Sequence, residues 1–314
     1  MRVSSMQLSP RLVKTFKTLI KVGISSLAIW YLATKIDTKT LLSTARSTNY
    51  WLIGTAIMAY VASQFIAALR LNTLFKHLPL KIESTNNIKL YWMGLFYNIF
   101  LPGGVGGDGY KVFLIHKYIK TPTKRLIGAI LADRLSGLSV ILVYLLALVY
   151  FINYELPYQG WFWALIPTVG VGYFLFLYLF NRPLTAAFWK VNAWSLLIQG
   201  LQVVSAMLIL EAMGAKVVGH RDDFIFLFLL SAITASVPIT LGGIGARELT
   251  LLKGAEILNL NANHAVALSL IFYLISVVVA LPGIIYTFAP GKLLIVKQTS
   301  AACAEQPKAT TTNT

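Results

Sequence analysis

The chain has 314 residues, 57% of them hydrophobic and only 12% charged, with a mean hydropathy of +0.71. A soluble domain is about 45–50% apolar and about 25% charged, so a water-exposed globule of this composition is excluded and lipid is the expected solvent. The net charge of +16 comes from 27 Lys and Arg against 11 Asp and Glu, but the cations flank apolar runs instead of lining a stripe with aromatic residues, so no nucleic-acid partner is expected.

A basic N-terminus (Arg2, Arg11, Lys14, Lys17, Lys21) leads into an apolar stretch, Val22 to Ala33, with no small-residue cleavage site behind it. It reads as a retained first membrane helix, Leu19–Thr34, rather than a signal peptide. Crossing the hydrocarbon takes about 20 mostly apolar residues. The further candidates in chain order are Trp51–Phe75, Ile127–Ile152, Phe162–Phe180, Val191–Met213 and Ala265–Phe288.

Two other apolar stretches end in glycines. Ile88–Leu101 runs into PGGVGGDGYKV, and Phe224–Leu241 runs into GGIGARELTLL. Irregular backbone at bilayer depth is tolerated only inside protein or beside a water-filled cavity. Both therefore read as broken or re-entrant helices. The breaks match each other: Gly103-Gly104-Val105-Gly106 against Gly242-Gly243-Ile244-Gly245, each preceded by a proline (Pro102, Pro238) and followed by charge. Interrupted segments at corresponding positions in two halves point to a transporter binding site and to a candidate inverted repeat.

Lys and Arg in short loops set orientation. The N-terminal segment, Lys111–Arg125, Arg182 with Lys190, and Lys292 with Lys297 fall on one side, while Asn153–Gly160 carries neither cation. The scheme expected is six spans with both termini in the cytoplasm. The first break dips from the cytoplasmic side and the second from the outer side. Lys35, Lys39 and Arg46 oppose it, and full crossing of both broken segments would give about eight helices.

The first break places five glycines between Gly103 and Gly109. Bare N–H groups and the positive end of a helix starting near Asp108–Lys111 can face an anion, with Lys111 adding a point charge. The alternative is a tight turn whose glycines only permit close helix packing. A carboxylate at this depth costs roughly 2.5–3.5 kcal/mol on insertion scales, so Asp108 calls for a role or a partner: Lys111, Arg134 or Arg247. As an alternative it caps the next helix. Asp133 and Arg134 are neighbours inside an apolar helix and point about 100° apart, so each needs a different partner unless both snorkel to the interface. After the second break, Arg247 can grip a phosphodiester bidentately and Glu248 suits a helix start; alternatively they form a surface pair in a loop. Arg70 and Glu211, near span ends, are expected at the interface.

Catalytic and cofactor signals are missing: no Ser/His/Asp set, no HExxH, no ATP-binding loop. His77, His116, His220 and His264 are scattered and Cys303 is the single cysteine. No metal, no cofactor and no enzyme activity are expected.

YNIFLPGGVGGDGYKV, ADRLSGL and VPITLGGIGARE together resemble the membrane region of the lysylphosphatidylglycerol synthase/flippase family, across about Lys14 to Lys292. The resemblance implies an all-α polytopic transmembrane bundle in a bacterial or archaeal inner membrane, as a flippase-like domain over residues 1–297 followed by a disordered polar tail, 298–314. In bifunctional members this region moves an aminoacylated phospholipid between leaflets. The residues matching the family's motifs are Asn98, Pro102, Gly103, Gly104, Gly106, Asp108, Asp133, Arg134, Pro238, Gly242, Gly243, Gly245, Arg247 and Glu248. With Lys111, and without the two prolines, they form the expected site for a lipid headgroup. The soluble aminoacyl-transferase domain of bifunctional members has no counterpart in this sequence, so synthesis of the aminoacylated lipid is not expected. The function expected is translocation of a phospholipid, glycolipid or isoprenoid-linked lipid. The alternative is a lipid-modifying enzyme, or a lipid-presenting partner of a separate glycosyl- or aminoacyl-transferase.

Overall fold

The computed structural model describes residues 49–78, 80, 82–100, 105–154, 157–214, 219–236, 246–288 and 293. The expected first span Leu19–Thr34, the tail 298–314, and Pro102, Gly103, Gly104, Pro238, Gly242, Gly243 and Gly245 lie outside these residues. Among the described residues the regular structure is helical. The helices are α1 (Tyr50–Lys76), α2 (Ser84–Phe100), α3 (Gly106–Ile119), α4 (Thr123–Leu148), α5 (Ile166–Phe180), α6 (Phe188–Ala212), α7 (Arg221–Ser236), α8 (Ala246–Ile257), α9 (Ala262–Ala280) and the short α10 (Gly283–Thr287). Two short 3-10 helices, Gln159–Leu165 and Arg182–Ala187, lead into α5 and α6.

Five of these segments are long and apolar enough to cross a membrane: Tyr50–Lys76, Thr123–Leu148, Gln159–Phe180, Arg182–Ala212 and Ala262–Ala280. They match the five expected spans that the structure describes, and the protein is a multi-pass membrane protein. Its lipid-facing character is plainest in α5, where Val171, Leu175, Leu179 and Phe180 are exposed.

The remaining long helices are shorter than a crossing. At 1.5 Å per residue, α2 with 17 residues and α7 with 16 reach about 25 Å, against a hydrocarbon core of about 30 Å. Each turns back on its successor. Tyr97 meets Tyr110 at 4.8 Å between α2 and α3. Across α7 and α8, the Thr234 and Thr250 hydroxyls lie 2.9 Å apart.

Polar contacts fix which helix ends share a face. At one face the Asn72 amide donates to Ser84 at 2.9 Å and the Asn181 amide reaches the Arg125 carbonyl at 3.4 Å. Lys76, Lys117, Lys120, Lys124, Arg125 and Arg182 belong to this basic end. At the opposite face the Asn49 N–H donates to the Ala212 carbonyl at 2.9 Å, and Asn153 binds Asp223 through its N–H and its amide, both at 2.8 Å. Hairpin α2/α3 therefore has its outer ends at the basic end, and hairpin α7/α8 has its outer ends at the far end. The core divides likewise. One apolar cluster joins α2, α3 and the basic halves of α1, α4 and α6. The second joins α7, α8 and α9 to the far halves of α1, α4 and α6.

Candidate functional site

The α2/α3 hairpin is built on absent side chains. A Cβ on Gly107 would collide with the Gly94 carbonyl, and one on Gly94 would meet the Lys111 stem at 2.6 Å. The backbones therefore approach as closely as small residues allow. Asn98 braces the crossing, its side-chain oxygen accepting the Gly107 N–H at 2.8 Å. That amide of the glycine run is thereby committed to the fold. Helix α3 begins at Gly106 with Val105 as its N-cap.

Asp108, in the first turn of α3, is buried between two cations. Lys111 Nζ lies 2.6 Å from one carboxylate oxygen, and Arg134 of α4 donates from Nε to the other. Arg247, considered with these two as a third partner, lies instead over the Phe272 and Phe228 rings. Two cations thus share one carboxylate, Lys111 buried and Arg134 partly exposed.

Asp133 and Arg134 do turn to different partners, and neither choice is snorkelling. Asp133 accepts from Arg70 Nε at 2.8 Å, with both side chains buried. Arg70 also donates from Nη1 to Ser195 of α6 at 2.9 Å, and Ser195 bonds Ser136 at 3.1 Å. The expectation of an interfacial Arg70 is thus corrected: it sits 6% exposed inside the bundle. Helix α1 reaches the basic end only at Lys76, six residues later, so Arg70 lies more than a turn inside it. Glu211 does lie at a surface, paired with Arg221 at 3.1 Å.

Arg247 opens α8. Its residue surface is only partly covered, but its Nε is shut away from solvent and has no hydrogen-bond partner among the described residues. The guanidinium lies over the rings of Phe272 at 5.2 Å and Phe228 at 5.8 Å. Aromatic faces offset part of the loss of water around a cation but accept no N–H···O bond. Glu248 beside it accepts from Ser269 of α9 at 3.0 Å. The reading of Arg247 and Glu248 as a surface pair in a loop does not hold, since they occupy the first turn of a packed helix.

A row of α1 side chains connects the two hairpins. The Lys111 ammonium sits 5.3 Å over the Tyr91 ring. The Tyr91 hydroxyl is 3.4 Å from the Gln64 side-chain oxygen, and Gln64 donates to Ser63 at 3.3 Å. One turn on, Tyr60 packs edge-on against Phe272 at 5.2 Å, the ring that carries Arg247. Tyr60, Ser63 and Gln64 were not singled out from sequence, and Arg70 was expected at the interface. Their spacing of three, four and seven or so along an apolar helix was the available signal, since it places them on one face.

A model of the family described as the lysylphosphatidylglycerol synthase TM region matches residues 18–193, more than half of the chain. The match takes in α1 to α5 and therefore Arg70, Asp108, Lys111, Asp133 and Arg134. Arg247 and Glu248 lie beyond it. No curated protein matches the chain.

Proposed function

This chain belongs to the lysylphosphatidylglycerol synthase TM-region family, and on that premise we propose that it translocates a lipid with an anionic headgroup between leaflets. A phosphate-bearing headgroup enters beside Lys111 and Arg134 and leaves beside Arg247, or the reverse, while its acyl chains stay in hydrocarbon. The observation that carries this reading is a pair of cations on one carboxylate at the first hairpin and a covered guanidinium at the second, joined by polar side chains of α1. In particular, the covered Arg247 Nε lacks a bond among the described residues. A buried cation with an unmet hydrogen bond is costly, and an entering phosphate oxygen supplies what is missing. Gln64, Ser63 and the hydroxyls of Tyr60 and Tyr91 replace water along the way.

We infer that the basic end faces the cytoplasm of a cell with an inner membrane, as the loop cations support. Both termini then lie on that side. The sequence offers no nucleotide-binding loop, so movement is downhill or coupled to an ion gradient. A separate glycosyl- or aminoacyl-transferase would supply a modified headgroup.

The test is a fluorescent-lipid assay in liposomes. Dithionite bleaches labelled phosphatidylglycerol only in the outer leaflet, about half of it in protein-free vesicles. Reconstituted protein should raise the bleached fraction well above that plateau while the lipid's mass stays unchanged. An unchanged plateau contradicts translocation, and a change in lipid mass would make the protein an enzyme instead.

A further inference from the structure

A cavity lies at the basic end, away from the buried row. It encloses about 340 Å³ between the end of α1, the start of α4 and the junction of α5 with α6. That volume falls in the roughly 300–1,000 Å³ range of small-ligand sites. Four basic side chains line it, His77, Lys124, Arg125 and Arg182, together with Asn181 and Phe180, and no carboxylate does. Arg70, Lys111, Arg134, Arg221 and Lys253 sit in ion pairs with carboxylates. Among the described residues none of the four lining this cavity does. Three permanent cations converging on one hollow repel each other unless an anion occupies it.

The walls also indicate what carries the anion. Asn181, 9% exposed, turns its amide to the Arg125 carbonyl at 3.4 Å, which ties the ends of α4 and α5 into a fixed rim. Arg182 lies with its guanidinium 5.0 Å over the Tyr178 ring. Phe180 is 65% exposed and Leu179 66%, so the cavity borders the lipid-facing flank of α5. A headgroup seated among the cations would send its acyl chains down that flank. A free anion would leave the apolar border without purpose. Basic pockets between membrane helices on the cytoplasmic side are suited to multiply charged lipid headgroups.

We propose that this cavity is a binding site for a phospholipid carrying two negative charges, in the leaflet at the basic end. It is separate from the buried row and does not depend on the translocation reading. The lipid anchors the α1, α4 and α5–α6 ends to one another and gives Lys124, Arg125 and Arg182 their counter-charge.

Native mass spectrometry of the full-length protein tests this. The protein is stripped of lipid and then offered vesicle lipids: diphosphatidylglycerol, phosphatidylglycerol or phosphatidylcholine. Retention should fall in that order. The combined variant Lys124→Gln, Arg125→Gln, Arg182→Gln should bind diphosphatidylglycerol about 100-fold more weakly, at about fivefold per lost cation. Arg182→Glu alone should weaken it more than Arg182→Gln. Lys253→Gln at the far end should leave retention unchanged. Equal retention of phosphatidylcholine, or undiminished binding by both the combined variant and Arg182→Glu, would overturn the site. Displacement of the lipid by millimolar inorganic phosphate alone would overturn its assignment to a lipid. All three residues are solvent-exposed, so the variants are expected to fold.

Discussion

Arg70 and Asp133, 63 positions apart in sequence, meet at 2.8 Å in the bundle interior and tie α1 to α4. Arg70 extends the tie to α6 through Ser195. Each partner is an expensive residue to bury alone, and together with the two serines they form a closed set. This arrangement makes Asp133 a brace of the site rather than a part of the anion path.

Removing one partner should show it. Asp133→Ala leaves the Arg70 charge uncompensated and is expected to destabilise the fold by about 3–5 kcal/mol. The double variant Arg70→Met, Asp133→Leu should recover most of that. Thermal unfolding in detergent reads both. Lipid transfer per folded molecule should change little in the double variant.

The α2/α3 crossing predicts a contrast between two neighbouring glycines. Gly107→Ala drives a methyl into the Gly94 carbonyl, whereas a methyl on Gly109 meets nothing within 4 Å. The first substitution should cost at least the upper part of the roughly 1–3 kcal/mol range for overpacking, because backbone cannot move aside cheaply. The second should be neutral or slightly stabilising, since alanine favours a helix by up to about 1 kcal/mol over glycine. Unfolding midpoints of the two single variants, compared side by side, decide the matter.

Lys111 and Arg134 share one carboxylate, so their losses should be read in transport rather than in folding. Lys111→Met leaves Asp108 paired with Arg134 and removes one of its two cations. Transfer of labelled phosphatidylglycerol should slow about 10- to 100-fold, the equivalent of one charge-assisted hydrogen bond worth about 1.5–3 kcal/mol. Transfer of a lipid with no phosphate should be unaffected by this substitution.

Asp223 has a different task at the far end. It is fully buried and accepts from the Asn153 N–H and amide at 2.8 Å and from His220 at 3.0 Å. The bonds fasten the connection after α4 to the start of α7. Asp223→Ala strands these donors and should cost about 1–3 kcal/mol. Proteolysis near residues 150–158 should quicken, while lipid transfer by the intact fraction persists.

Much of the fold was legible because bilayer length and apolarity are one-dimensional signals. Trp51–Phe75 and Ile127–Ile152 needed only counting, and the structure places α1 and α4 over them within a few residues. The short α2 and α7 were readable as broken helices, since glycine and proline end them. The pairing of charges was half legible. Adjacent helix positions diverge, so Asp133 and Arg134 had to take different partners, and Asp108 had Lys111 one turn away. Arg70 was misplaced because depth in a membrane cannot be judged from distance to a span's end when the partner, Asp133, is distant in sequence. Arg247 was named from sequence as a candidate phosphate ligand. Its setting over Phe228 and Phe272 depends on how α7, α8 and α9 pack, which no local pattern encodes. The basic cavity draws on three separate helix ends and left no motif at all.

The most direct test of the account rests on Arg247, whose covered Nε has no partner among the described residues. Labelled phosphatidylglycerol transfer is measured in liposomes carrying wild-type protein, Arg247→Lys or Arg247→Gln, alongside each protein's unfolding midpoint. The account predicts a fall of at least about tenfold for Arg247→Gln and a smaller one for Arg247→Lys. The unfolding midpoint should be unchanged or raised, because a poorly satisfied buried charge has gone. Wild-type transfer rates in a folded Arg247→Gln protein would contradict it.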